Sequence, residues 1–178
     1  MAAVPITRTA VAGEIVLVSQ FNTYINQLLN FLASPPICQI RQTVAQSIPN
    51  ATETALTFDA EDVDSSGMHS TSVNTSRMTA VYAGWYLHGG GWSLAAGATG
   101  RRATSWRVNG AGTNVNGSGV AMQATATSVP NTPAKTMLIF LNVSDYSEEF
   151  ARQENGGALN TVVTNEAQPI AMALWKSN

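Results

Sequence analysis

Past Pro36 the apolar residues of this chain recur at every second position in short runs, and each run stops at a glycine, proline or asparagine. Leu56 and Phe58 flank Thr57, and Trp85 and Leu87 alternate with Tyr86 and His88. Trp92 and Leu94 bracket Ser93, and Trp106 and Val108 bracket Arg107. Val120, Met122, Ala124 and Ala126 share one face, opposite Ala121, Gln123 and Thr125. A period of two is that of a strand with one face toward a core. Turn signals separate the runs at Ile48-Pro49-Asn50, Ser66-Gly67, Gly89 to Gly91, Asn109-Gly110, Asn116-Gly117, Pro130-Asn131 and Asn155 to Gly157. About eight to ten short strands so spaced predict an all-β, antiparallel sandwich or barrel. The longer apolar run Met137 to Val143 predicts a strand buried on both faces. No helical pattern alternates with the strands, which excludes βαβ units, and no fixed period marks a solenoid or propeller.

One stretch departs from this rule. Val18, Phe21, Ile25, Leu28 and Leu32 are spaced 3, 4, 3 and 4 apart, the a/d spacing of about two heptads. Ser19 is the expected N-cap, and Pro35 with Pro36 supplies a stop. A helix of about 14 residues with Asn, Thr and Gln between its apolar positions is marginal alone in water and needs packing partners. Residues 1–17, with Pro5 inside them, read as an extended arm. The chain therefore divides into an N-terminal arm with a short helix, residues 1–36, and a β-domain, residues 37–178.

Of the 178 residues, 44% are hydrophobic and only 11% charged, against roughly 25% in an average soluble domain. A net charge of -2 and a pI near 5.6 give no electrostatic footprint for nucleic acid or anionic lipid. Arg101 and Arg102 are a local pair and not a basic stripe. The N-terminal residues lack the pattern of a secretory leader, and no run has the length of a membrane span. Synthesis in a cytoplasm, with no membrane insertion, is the expectation. The single cysteine, Cys38, forbids an intrachain disulfide or a thiolate metal cluster and is expected as a half-buried small hydrophobe.

Few residues suggest chemistry. In "DAEDVDSSGMH", Asp62, Asp64, Ser66 and Gly67 match the opening of a calcium loop, yet Val73 stands where the bidentate Glu belongs. A solvated loop whose side chains bond their own backbone is the preferred reading. His69 and His88 are too few and too separated for a metal or acid–base site, and His88 is expected at an outward or inter-subunit position. There is no G-x-S-x-G elbow, and "GAGTNVNGSG" lacks the lysine of a phosphate loop. Glu148 and Glu149 are adjacent, so in a strand they point to opposite faces and cannot act together as a glycosidase pair. Trp85, Tyr86, Trp92, Trp106 and Trp175 serve either as a sugar-stacking surface or, the preferred reading, as core or subunit-interface aromatics. No catalytic set and no cofactor is expected.

Taken in order, "LTFDAEDVDSSGMHS", "AGWYLHGGGWSLAA", "GRRATSWRVNG", "PAKTMLIFLNVSDYSEEFARQENGGALNTV" and "PIAMALW" resemble the jelly roll of tumour necrosis factor and of the globular heads of the first complement component. Ser144 stands where that family often has Gly, and Glu148-Glu149 where it usually has β-branched or apolar residues. The front, "VAGEIVLVSQFNTYINQLLNFLASPPICQI", is similar to the N-terminal segment of virion proteins of actinobacterial tailed phages, commonly labelled minor tail proteins. The resemblances imply a non-enzymatic homotrimeric knob. Val18, Phe21, Ile25, Leu28 and Leu32 would meet around one axis, and residues 1–34 would dock on other virion proteins. They place the protein in the virion, with a tail position preferred over a capsid-decorating or head-fibre role. The alternative is a carbohydrate-binding adhesion module contacting host cell-surface glycan through Tyr86, Trp92 and Trp106.

Overall fold

The alternating runs pair into two antiparallel sheets laid face to face. The structure is a computed structural model and describes residues 9, 11–95, 99–124, 132–164 and 166–177. Its strands are β1 (Ile37–Arg41), β2 (Ser47–Ile48), β3 (Thr54–Ala55), β4 (Ala60–Asp64), β5 (Arg77–Thr79) and β6 (Gly84–Gly91). They continue as β7 (Arg101–Val108), β8 (Val120–Gln123), β9 (Ala134–Leu141), β10 (Tyr146–Gln153), β11 (Leu159–Asn160) and β12 (Ile170–Ser177). The first sheet runs β4-β1-β12-β6-β9; the second runs β3-β10-β7-β8, with β5 also on β10. β2 and β11 form a small ribbon. Neighbouring strands in space are distant in sequence, as the long crossings of a jelly roll require.

Side-chain parity sets the core. Cys38 and Ile40 of β1, Tyr86 of β6, Ile139 and Leu141 of β9, and Ala171, Ala173 and Trp175 of β12 point inward. They meet Trp106 of β7 and Ala151 of β10, while Leu56, Phe58, Met68, Met78 and Trp92 close the ends. Gly90 lies against the Trp106 indole, where a Cβ would come within 2.9 Å of Cζ2, so the two layers interdigitate there. Cys38 is fully buried, beyond the expected half, and burial pushes its thiol pKa well up.

Two strand expectations change. Met137 to Val143 is not buried on both faces: in β9, Ile139 and Leu141 are buried, but Leu138 and Phe140 are exposed. A continuous apolar run cannot distinguish a second layer of its own chain from a surface left for another partner. His88 points inward and is completely buried, not outward, because Trp85 and Leu87 take the opposite parity.

The predicted helix is present but is not a uniform α-helix. α1 (Val18–Phe21) passes into a π-helical turn, Asn22–Asn26, and then into α2 (Gln27–Ala33). Its N-cap is Leu17, not Ser19; with no hydroxyl at the cap, the Leu17 N–H donates instead to Gln20 Oε1 at 3.0 Å. In the π turn, Asn26 Nδ2 donates to Asn22 Oδ1 at 2.9 Å. A turn closed by i to i+5 bonds holds one residue more than an α turn, so Val18 and Phe21 are rotated out of line with Leu28 and Leu32. Ser34 leaves helical geometry directly before the two prolines. The arm residues 1–8, including Pro5, and Ala126 and the Pro130-Asn131 turn lie outside the described residues.

Candidate functional site

The two outer faces of the sandwich have opposite character. On the second sheet, outward residues of β7 and β10 carry the charges. Glu53 pairs with Arg107 and Arg152, and Glu154 pairs with Arg101 and Arg152. Arg107 lies over the Phe150 ring with Cζ 4.1 Å from its centroid, and Arg77 over Tyr146 at 4.0 Å. Glu148 accepts a hydrogen bond from Ser76 Oγ at 2.6 Å and pairs with Arg77, so this carboxylate is covered although it points outward. Such a face is finished by its own ion pairs.

The outer face of the first sheet is unfinished. Strand register aligns Ile37, Leu174, Leu87 and Leu138 in one row across β1, β12, β6 and β9. Trp85 and Phe140 form the adjacent pair, edge to face with ring centroids 5.5 Å apart. On the other side come Gln39, Met172, Gly89 and Thr136, then Arg41, Ile170, Gly91 and Ala134. Trp85 is 44% exposed, Leu138 50% and Phe140 43%. The charges on these rows lie at their ends: Arg41, paired with Asp62, at one, and exposed Lys176 of β12, beside Trp85, at the other. Toward the glycine end, Gly89 to Gly91 floor a groove of about 510 Å³, walled by Thr132, Ala134 and Met172.

The N-terminal helix continues this apolar surface. Val18, Phe21, Ile25 and Leu32 are exposed and Leu28 is half-buried; no helical residue is fully buried. One side chain outside the heptad fixes the helix to the knob. Phe31 packs edge-on against Tyr82, with centroids 5.0 Å apart, and against Trp175, at 4.8 Å. Behind it the Trp175 backbone N–H donates to Pro36 O, and its indole N–H to Ala83 O at 3.1 Å. The joint sits at the Trp85 and Phe140 end of the first sheet, since β1 and β6 begin there and β12 and β9 end there. The five heptad residues say nothing of Phe31; an aromatic in the last turn before the proline stop was its only sequence signal.

The other predicted positions resolve differently. Tyr86, Trp92 and Trp106 are each wholly buried and cannot stack on a glycan. Their alternation marked a buried face correctly but not which parity was buried. Asp62 is held by Gln39 Nε2 at 3.1 Å and Arg41 Nε at 2.7 Å, and both hold its carboxyl below the usual aspartate range. Asp64 instead accepts from the Ser66 and His69 backbone N–H groups, at 3.2 and 2.8 Å, as a loop that bonds its own backbone. His69 lies between Glu61 Oε1, at 3.0 Å, and Thr75 O, at 3.1 Å. Among the described residues no cluster of three His, Cys, Asp or Glu side chains is arranged to hold a metal, and no helix is long and apolar enough to cross a membrane.

Fold and faces together define a jelly roll of the tumour necrosis factor and complement-head type. The crystal structure of murine APRIL at pH 5.0 superposes with a TM-score of 0.58 at 10% identity, covering 78% of this chain and 98% of that one. The globular domain of zebrafish complement 1qA gives 0.53 at 12% identity over 80% and 99%. Eiger TNF from S. frugiperda gives 0.54 at 10% identity over 80% and 95%. No protein-family model and no curated protein sequence matches the chain. The shared feature is the fold of the knob.

Proposed function

We propose that this protein is a non-enzymatic structural component of a tailed-phage virion: a homotrimeric knob held to the particle, in its tail, by residues 1–34. The observation that carries self-association is the largely apolar outer face of the first sheet, continuous at its Trp85 and Phe140 end with the exposed apolar helix. Contiguous apolar surface of this kind is the mark of an interaction site in a folded protein. The occupant that fits it is a second copy of the same chain. Helix and sheet face lie at one end of the molecule, so copies meeting on one would meet on both. Three-fold closure is supported by the fold's resemblance, and virion placement by the similarity of "VAGEIVLVSQFNTYINQLLNFLASPPICQI" to phage tail proteins. A non-enzymatic role is supported by the titratable groups: His69 is bonded on both ring nitrogens, while His88 and Glu149 are sealed inside the sandwich.

Light scattering of the full chain is expected to give three times the chain mass of 18.8 kDa. Deleting residues 1–34 should leave a folded knob that no longer enters particles. A monomeric full chain refutes self-association, and a truncated protein that still incorporates refutes the anchoring role.

A further inference from the structure

Glu148 and Glu149 stand out in sequence, and self-association uses neither. Glu149 projects from β10 into the sandwich and is 1% exposed. Thr104 Oγ1 donates to its Oε1 at 2.7 Å, while Oε2 has no partner. Its space is the side chain that Gly90 lacks: a Cβ on Gly90 would lie 2.3 Å from Oε2 and 2.9 Å from Trp106 Cζ2. One inward position earlier on β6, His88 is completely buried, with its ring edge-on to Trp106. Its Nδ1 lies 3.2 Å from Tyr86 O and its Nε2 2.8 Å from Ser147 Oγ. A neutral ring that donates from Nδ1 and accepts the Ser147 hydroxyl at Nε2 satisfies both contacts.

We propose that His88 and Glu149 are a proton-balancing pair between the two sheets: the folded knob keeps the carboxyl protonated and the imidazole neutral, and this makes the sandwich loosen as the medium turns from mildly acidic to mildly alkaline. Among the described residues, the Thr104 hydroxyl is the group that offsets the burial of Glu149. β7 presents Thr104 and Trp106, with Arg102 two inward rows further on and donating to the Thr99 and Arg101 carbonyls. β6 presents Tyr86, whose hydroxyl donates to Tyr82 O, and β9 presents Lys135 opposite Gly90, partly exposed. Cys38 of β1 and Ala171 and Ala173 of β12 complete the facing layer. Burial pushes the Glu149 carboxyl up to about 8, opposed only by Thr104, and pushes His88 down to about 4.

The two shifts act in opposite senses. In the unfolded chain glutamate titrates near ~4.3 and histidine near ~6.5. Between those values the unfolded chain carries its proton on His88 and the folded chain carries it on Glu149, so their effects on stability cancel. Above ~6.5 the unfolded pair holds no proton while the folded pair still holds one. Stability then falls until Glu149 ionises near 8.

Thermal and urea unfolding from pH 4.5 to 8.5 tests this on the wild type, Glu149→Gln and His88→Gln. The wild-type unfolding constant should rise about eightfold between pH 6.5 and 8, and about twentyfold between pH 5.5 and 8.5. E149Q should lose that rise, and H88Q should extend it down toward pH 4.5. Infrared spectra of the wild type at pH 7 should contain a protonated-carboxyl band, which needs no folded variant. Its absence, or variant profiles parallel to the wild type, overturns the proposal.

Discussion

Phe31 meets Trp175 edge-on at 4.8 Å, joining the last turn of the N-terminal helix to the last strand of the knob. This contact and the one to Tyr82 are the ring contacts that the helix makes with the β-domain among the described residues. Phe31→Ala is therefore expected to cost about 1–2 kcal/mol at the joint. Limited proteolysis should cut faster around residues 33–36, while the melting temperature of the knob changes little.

Trp85→Lys and Leu138→Lys place a charge on the exposed apolar sheet face without touching the core. Each should leave the circular dichroism spectrum and the fold intact and shift the light-scattering mass to that of a single chain. A variant that keeps the assembled mass would show that the copies do not meet on this face.

Ser144 adopts φ 72°, the left-handed region that costs a residue with a side chain about 1–2 kcal/mol. Its backbone N–H donates to Ala80 O at 2.8 Å, which holds it there. Ser144→Gly removes the strain and adds the smaller entropy cost of glycine, so it should stabilise the knob by about 0.5–1 kcal/mol in urea unfolding.

Asp145 accepts from Asn109 Nδ2 at 2.7 Å, Asn142 N at 2.8 Å and Asn142 Nδ2 at 2.9 Å. Although burial opposes them, these donors hold its pKa below the usual aspartate value. A depressed folded pKa contributes stability above the unfolded value of ~3.9, lost as pH falls through the folded one. Asp145→Asn should cost about 1–3 kcal/mol at pH 7, and the gap to wild type should close in acid titrations below pH 4.

What the sequence disclosed follows from what period two can encode. It marks strands and turns, so the antiparallel sandwich and the Asn109-Gly110 turn with both φ values positive were legible. It does not say which parity is inside: Trp85 and Trp106 look alike in sequence, yet one lies on the surface and the other in the core. Nor does composition reveal burial of charge. Adjacency puts Glu148 and Glu149 on opposite faces but does not say which carboxylate is inside; the space for Glu149 comes from Gly90, 59 residues earlier. The π turn was equally hidden, because heptad spacing presumes a uniform helix.

The segregation of charge onto one sheet also bears on how the protein responds to its medium. Ion pairs on the second sheet are screened by salt, but each joins residues of one chain, whereas the face on which we propose that copies meet is largely apolar. Contacts of that kind strengthen with warmth and weaken in the cold. Cohesion between copies should therefore be indifferent to ionic strength and responsive to temperature.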